Sequence, residues 1–458
     1  MTAPSHARTA TWSSNLMFIL AAIGGAVGLG SIWRFPYLIG TNGGSAFVIV
    51  YLLALVLITI PLMMAETLMG KRGRSSVTVS MARLATEAGA SPLWIVVGGL
   101  GVLGGFLIMT YYSVIGGWVL AYVPDSLVHG FGGRSREDFQ ASFDALMADP
   151  ARQILWHTVF MGVTAVVVGR GIAAGIERAV SFLMPALAVM LIVIAVNALI
   201  VGDAEKGVAF MFMPDFSKVS WNLLLVALGQ AFFSIGVGMG MMFTYGAYLD
   251  SDVSIGKACI AIVVADTIIS ILSGFAIFPV VFEFGLDPAA GPGLVFVTLP
   301  LAFGQMTGGT LVGAAFFVLL FFAALASALA LTEVPVAWLI QRSGWTRPKA
   351  TIVIALAIWS IGLLCVFSFN TLKDVHPLGA IDRYATATFY DIIDDVSANG
   401  VLIVDGILIA VFAGFVMKTQ ALQQELGLKD GPLYQTWLFL TRIVSPIALI
   451  VTLAATWL

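Results

Sequence analysis

Long apolar runs separated by short polar stretches recur from one end of the chain to the other. Each is roughly 20 residues or longer, the length needed to cross the hydrocarbon core of a bilayer. They fall at about 13–38, 42–70, 91–124, 153–170, 175–201, 219–249, 253–283, 308–341, 348–369, 387–417 and 434–457, and each predicts a helix. Runs longer than a straight crossing imply tilt or interruption. Between them, 125–152 carries charges on a helical polar pattern. The stretch 284–307 is rich in glycine and proline and suits a re-entrant hairpin, while 418–433 reads as a polar loop.

Two runs are interrupted from within. The first contains Gly24-Gly25-Ala26-Val27-Gly28-Leu29-Gly30-Ser31, followed by Arg34-Phe35-Pro36. The sixth contains Gln230, then Ala231-Phe232-Phe233-Ser234-Ile235-Gly236-Val237-Gly238-Met239-Gly240. Non-helical backbone in a membrane survives only where protein or a polar cavity satisfies its N–H and C=O groups. Small residues on one such helix are explained by close packing alone. Two matched runs with hydroxyls inside them, five helices apart and therefore oppositely oriented, point to an inverted repeat with its site at the breaks.

Composition agrees with a polytopic membrane protein: 60% of the 458 residues are hydrophobic and 10% charged, against about a quarter charged in soluble domains. The net charge of −3 says little about partners. Basic residues lie scattered in short loops without an aromatic-interleaved patch, so no nucleic-acid partner is expected. Cys259 and Cys365 sit in apolar runs and read as small buried hydrophobes. His6, His129, His157 and His376 have no ligand spacing, and no nucleophile–base pair or phosphate loop is visible, so neither an enzyme nor a covalent cofactor is expected. Residues 1–12 read as a retained tail rather than a cleaved signal. Lys71, Arg72, Arg74, Arg83, Arg170, Arg342, Arg347, Lys349, Lys418 and Lys429 fall on the side of the N-terminus. Arg134, Arg136, Arg152, Lys206, Lys218, Lys373 and Arg383 fall opposite. The excess places the N-terminus in the cytoplasm.

The motifs Gly24–Pro36 with Asn42-Gly43-Gly44, Pro61-Leu62-Met63 leading to Glu66, Tyr111-Tyr112, Gln230–Gly240, Ser273-Gly274-Phe275 and Phe321–Ser327 occur in order along nearly the whole chain. With them the chain resembles the neurotransmitter:sodium symporter family, in particular bacterial amino-acid transporters of the LeuT type that have eleven helices. The resemblance implies an all-α polytopic membrane protein with a LeuT-type 5+5 inverted repeat and broken helices one and six. The repeats would be 13–201 and 219–417, joined by an extracellular loop at 202–218 and followed by a cytoplasmic loop and helix eleven over 418–458.

By the same resemblance, the N–H groups of Leu29 and Gly30 receive a substrate carboxylate, with the Tyr112 hydroxyl as a further donor. A half-helix end with free N–H groups suits an anion; a packing role is the competing reading of Tyr112. Carbonyls near Gly25, Ala26 and Phe233 take the ammonium, with Ser234 nearby. Gly25, Ile108, Phe233, Gly236, Met239, Ser327 and Leu331 line the side-chain pocket, which holds no charge. Gly236 and the adaptable Met239 enlarge it, and Gly238-Met239-Gly240 is similar to the run in members taking large hydrophobic and aromatic amino acids. Gly28 stands where similar monoamine carriers have aspartate, so the ligand must bring its own carboxylate.

Sodium site one would use the Ala26 carbonyl, Ser31, Ser234, Asp266 and the substrate carboxylate. Family members usually have asparagine in place of Ser31. Asp266 supplies a negative charge where chloride-dependent relatives have asparagine, which argues against a chloride requirement, although Ser270 is retained. Site two would use the Gly24, Val27 and Ala323 carbonyls and the Ser327 hydroxyl, with Ala326 replacing a hydroxyl-bearing residue. Hard cations want oxygen ligands, so both sites are expected to be weakened unless water substitutes.

Arg34 and Asp394 match the family's outer gate; Asp391 is an alternative partner, and Arg34 could instead snorkel. Trp12, Tyr245 and Tyr248 match the inner gate. Arg8 is one residue out of register, Gln341 replaces an acidic partner, and Glu333 is a possible substitute, so a weaker inner gate favouring inward-facing states is expected. Glu66 would brace the broken helices by hydrogen bonding, with a proton relay as the alternative. Gly175 and Pro185 allow either local unwinding of helix five or an ordinary kink. The expected function is sodium-coupled symport of leucine- to tryptophan-sized L-amino acids across the bilayer of a bacterial inner membrane. A sodium-independent or proton-coupled carrier using Asp266, and a non-transporting sensor, stay open as alternatives.

Overall fold

The computed structural model describes residues 11–250, 253–289 and 293–457, and among them there is no strand. Arg8 and residues 1–10 as a whole lie outside the described residues. The chain opens with α1 (Asn15–Ala26), started by the Ser14 hydroxyl, which accepts the Met17 N–H at 3.2 Å. A 53° bend leads into α2 (Gly30–Thr41). Then come α3 (Ser45–Gly73), α4 (Val77–Ala88), α5 (Pro92–His129), α6 (Arg136–Ala148), α7 (Pro150–Gly169) and α8 (Ile172–Val201). A short α9 (Ala204–Phe212) precedes the second broken pair, α10 (Trp221–Ile235) and α11 (Met241–Ala247). The remainder is α12 (Ile255–Glu283), α13 (Leu294–Gln305), α14 (Gly309–Ser343), α15 (Arg347–Phe367), α16 (Phe389–Val416), α17 (Thr419–Leu426) and α18 (Pro432–Trp457).

Nine helices among the described residues are long and apolar enough to span a bilayer, and the bent α1–α2 pair adds a tenth. Counting α10–α11 as one broken crossing gives eleven. Exposed apolar side chains such as Leu53, Val56, Phe182, Val189, Val193 and Ile352 cover the outside of the bundle. Exposed apolar surface on this scale requires lipid contact. The apolar window of α14 is 78% buried, against 33% for α7 and α18, so α14 is a central helix and those two belong to the rim. It packs on α1, α5 and α8, while α1 also packs on α8 and α12, and α11 packs on α3.

Two connecting stretches carry more helix than the sequence suggests. The expected hairpin at 284–307 contains α13, whose Val295 and Phe296 are buried. The expected polar loop at 418–433 contains α17, which buries Ala421, Leu422 and Leu426. Around Gly175, α8 is wound as helix.

Candidate functional site

The two breaks are built differently. In the first, Val27 donates to the Ile23 carbonyl at 2.6 Å, and Ser31 and Ile32 restart the helix by donating to the Gly28 carbonyl at 3.2 Å. None of Gly24, Gly25, Gly28 and Gly30 has a positive φ. Gly28 supplies space instead: a Cβ there would collide with the Ser327 hydroxyl and lie 2.7 Å from the Tyr112 oxygen. In the second break Gly236, Gly238 and Gly240 have φ of 72°, 81° and 67°, a left-handed turn that side chains resist.

Buried side chains take up the backbone groups that the breaks release. Glu66 on α3 accepts the Gly238 N–H at 2.9 Å and the Phe243 N–H at 3.2 Å, the bracing arrangement expected of it. Gln230 Nε2 donates to the Gly30 carbonyl at 2.9 Å and so joins one break to the other. The Leu29 N–H donates to the Tyr112 hydroxyl at 3.3 Å, and the Ser273 hydroxyl to the Ser31 carbonyl at 3.0 Å. Leaving such a buried group unpaired costs about 1–3 kcal/mol.

A small cavity of about 30 Å³ lies between the breaks. Gly25, Ala26, Gly30, Ile108, Tyr112, Phe233, Ser234, Gly236, Met239, Ser327 and Leu331 all line it, together with Gly28. Leu29 is the exception within the expected set, since it lines a second cavity further out. The central space holds water but not an amino acid. Met241, which sequence reasoning missed, packs against two of the glycines that line this space. Its sulfur lies 2.5 Å from where a Cβ on Gly25 would sit, and its methyl 2.8 Å from the same point on Gly236. The room expected at Gly236 is thus partly filled by a flexible thioether.

Beside the cavity the buried Asp266 carboxylate gathers hydroxyls. Ser31 donates to Oδ1 at 2.6 Å, Tyr51 donates to Oδ2 at 3.4 Å, and Tyr51 and Ser234 are 3.4 Å apart. One carboxylate ringed by hydroxyls is a hard-oxygen set of the kind that suits a sodium ion. No cluster of three His, Cys, Asp or Glu able to hold a metal occurs among the described residues. At the expected second site, Ser327 donates to the Gly24 carbonyl at 3.2 Å, and Ala326 packs a methyl close to Gly24, 3.3 Å from where a Cβ there would sit. Val27 and Ala323 are buried.

The outer cavity, about 440 Å³, is lined by Leu29, Trp33, Arg34, Tyr111, Tyr112, Phe233 and Asp394 among others. Phe233 and Tyr112 face both cavities and form the partition between them. The Arg34 guanidinium sits 4.6 Å from the centre of the Phe233 ring. Arg34 and Asp394 face the same space, with no ion pair between them. Asp391 is occupied elsewhere: its carboxylate caps α16 by accepting the Thr388 N–H at 2.8 Å.

The N-terminal side is closed. Trp12 is buried, its indole N–H donates to the Tyr245 carbonyl at 3.0 Å and its backbone N–H to the Tyr248 carbonyl at 3.2 Å. The Ser13 N–H donates to Glu177 at 2.7 Å. Tyr248 donates to Glu333 at 2.8 Å, and Arg347 pairs with that carboxylate at 2.7 Å. Gln341 accepts from the Ser76 N–H and the Ser75 hydroxyl, both at 2.8 Å. Glu333, the possible substitute for the acidic partner that Gln341 replaces, thus joins Tyr248 and Arg347 in the closure. Asp405, also unforeseen, is buried with Oδ1 lacking a hydrogen-bond partner among the described residues.

A model of the "Sodium:neurotransmitter symporter family" matches residues 9–134 and 148–457. The uncharacterized sodium-dependent transporter YhdH of Bacillus subtilis is 35% identical over 450 residues, spanning 98% of this chain and 97% of that protein. The uncharacterized sodium-dependent transporter MJ1319 of Methanocaldococcus jannaschii is 31% identical, spanning 97% and 90%. The crystal structure of MhsT in complex with L-phenylalanine resembles this one with a TM-score of 0.89 at 39% identity, spanning 98% of this chain and all of that one.

Proposed function

Because the chain belongs to the sodium:neurotransmitter symporter family, whose members are sodium-coupled membrane transporters and not enzymes, we propose that its cargo is a hydrophobic or aromatic L-amino acid. It is a multi-pass, all-α protein of the LeuT fold. The observation that carries the reading is the central cavity, which has the start of α2 on one side, where Gly30 lines it and the Leu29 N–H meets the Tyr112 hydroxyl, and a wall without charged side chains on the other. Gly28 adds no counter-charge for an amine, so the ligand carboxylate is the natural partner of the Leu29 and Gly30 N–H groups and the Tyr112 hydroxyl. MhsT, seen with L-phenylalanine, supports the aromatic end of the range.

The cargo enters through the outer cavity and displaces the Met241 thioether. Its carboxylate joins Asp266, Ser31 and Ser234 around a sodium ion, so ion and amino acid strengthen each other's binding. Gly24, Val27, Ala323 and Ser327 hold a second ion, with Ala326 contributing no oxygen. The negative charge of Asp266 makes chloride dispensable. Phe233, pressed by Arg34, closes over the cargo, with Asp394 as the partner that draws Arg34 inward. Release follows when the Trp12–Tyr245–Tyr248 layer opens on the N-terminal side. Alternating access moves a bundle and a scaffold, drawn from the repeats 13–201 and 219–417, around this central site, in a bacterial plasma membrane with the N-terminus in the cytoplasm.

The test is uptake of labelled leucine, phenylalanine and tryptophan into liposomes under a sodium gradient, a proton gradient, or neither. Saturable uptake that requires the sodium gradient and is unchanged on replacing chloride is expected. Preference for glycine or charged amino acids would overturn the assigned cargo. Proton-driven uptake indifferent to sodium would overturn the coupling.

A further inference from the structure

On the N-terminal side, the end of α3, the helix α4 and the helix α17 enclose a cavity of about 1070 Å³. Lys71, Arg72, Arg74 and Arg83 line it, against two carboxylates, Glu87 and Glu425. Both carboxylates are engaged by Arg72, which pairs with Glu87 and, at 3.1 Å, with Glu425. Arg74 donates to the Leu249 carbonyl and Lys71 to the Val253 carbonyl at 3.0 Å. A neutral acceptor holds the Arg74 side chain without cancelling its charge, and Arg72, Arg74 and Arg83 together outnumber the two carboxylates. Arg83 is exposed and forms no hydrogen bond or ion pair among the described residues. The lining therefore keeps an excess of positive charge.

Two further observations place this charge. Arg74 is the only non-glycine residue with positive φ among the described residues, at 54°. A left-handed arginine at a helix end is unfavourable in itself, and such outliers concentrate where a site is being shaped. The cluster occupies the last turn of a 29-residue apolar helix and the residues after it, the depth at which lipid headgroups meet a protein. On α4 itself, one turn from Arg83, Val79 is an exposed apolar side chain. Glu87 is held below the usual carboxylate range by the hydrogen bonds from Arg72, and by the charges of Arg72, Arg83 and Lys418.

We propose that this cavity binds the phosphate of an anionic phospholipid headgroup from the leaflet on the N-terminal side. Basic pockets between membrane helices are suited to such headgroups. Arg83 and Arg74 would hold the phosphate oxygens, and Arg72 would keep α4 and α17 in place around it. The inference does not depend on which cargo is transported. Free phosphate shares the chemistry, and the test separates the two sources.

The full chain is placed in nanodiscs of phosphatidylcholine with increasing phosphatidylglycerol, and lipid retention is measured by native mass spectrometry alongside Tm. A parallel arm adds inorganic phosphate to phosphatidylcholine discs. Phosphatidylglycerol is expected to be retained and to raise Tm. Arg83→Gln should weaken retention about fivefold, the usual value of one basic residue at a membrane surface. The remote Lys349→Gln should leave it unchanged. If inorganic phosphate raises Tm equally and displaces the lipid, the site belongs to a soluble anion and the lipid assignment fails. Equal losses in Arg83→Gln and Lys349→Gln would reduce the effect to general surface charge and overturn the site. Indifference to phosphatidylglycerol and phosphate alike would also overturn it.

Discussion

The sulfur of Met241 rests against Gly25, 2.5 Å from the point a Cβ on that glycine would occupy. One flexible side chain thus takes up the room that Gly25 and Gly236 leave. Met241→Ala should raise the binding of tryptophan relative to leucine about tenfold, since a methylene or two in an apolar pocket is worth about 1–3 kcal/mol of discrimination. Competition binding with the two amino acids measures it. An unchanged ratio would show that Met241 leaves the pocket wall alone.

Ser31 donates to Asp266 at 2.6 Å, and the expected ion lies at this pair. Ser31→Ala should raise the sodium concentration for half-maximal uptake about fivefold, one hydrogen bond of roughly 1 kcal/mol. Ser31→Asn reaches further and should lower it. Asp266→Asn should abolish sodium-driven uptake. Sodium titrations that overlay for all three variants would remove the ion from this position.

Glu66 accepts two backbone N–H groups across the second break. Glu66→Gln keeps the shape but turns one acceptor into a donor. Unfolding should become easier by about 1–3 kcal/mol, visible as a lower Tm in detergent. An unaltered Tm with lost proton sensitivity of uptake would favour a relay instead.

Arg34 lies over the Phe233 ring. A cation–π contact of this kind contributes about 0.5–2 kcal/mol. Arg34→Ala should slow turnover while leaving equilibrium binding of the cargo nearly intact, because the arginine holds the partition and touches no part of the inner cavity. Uptake rates set against scintillation-proximity binding separate the two effects.

Trp12 seals the N-terminal side against Tyr245 and Tyr248. Trp12→Ala removes a buried indole, a change that costs about 3–5 kcal/mol in a packed core. Backbone amides of α11 and of the first turns of α1 should then exchange with deuterium markedly faster. Unchanged exchange would place the closure on Glu333 and Arg347 alone.

Much of this architecture was legible in the chain itself. Apolar runs marked the crossings, and hydroxyls among glycines marked both breaks, because backbone that leaves a helix inside a membrane needs unusual residues. Glu66 stood out as a carboxylate in an apolar run. Met241, Tyr51 and Arg347 were not legible in the same way. Met241 reads as one more apolar residue, and only the approach of Gly25 and Gly236 gives it a role. Arg347 reads as a loop charge until α14 brings Glu333 beside it. Leu29 lies within the first break, yet the turn of the backbone sends its side chain to the outer cavity while its N–H stays with Tyr112. The helices at 294–305 and 419–426 follow from packing partners that no local pattern announces.

The glycines of the two breaks make them different mechanical parts. Around Gly28 no residue has a positive φ, and the hydroxyls of Ser327 and Tyr112 occupy the space a Cβ on that glycine would need. The Gly236–Gly240 turn needs three left-handed residues at once and is clamped by Glu66. A turn so constrained resists rearrangement, so in the proposed transport cycle the first break would serve as the hinge and the second as the fixed bracket beside it.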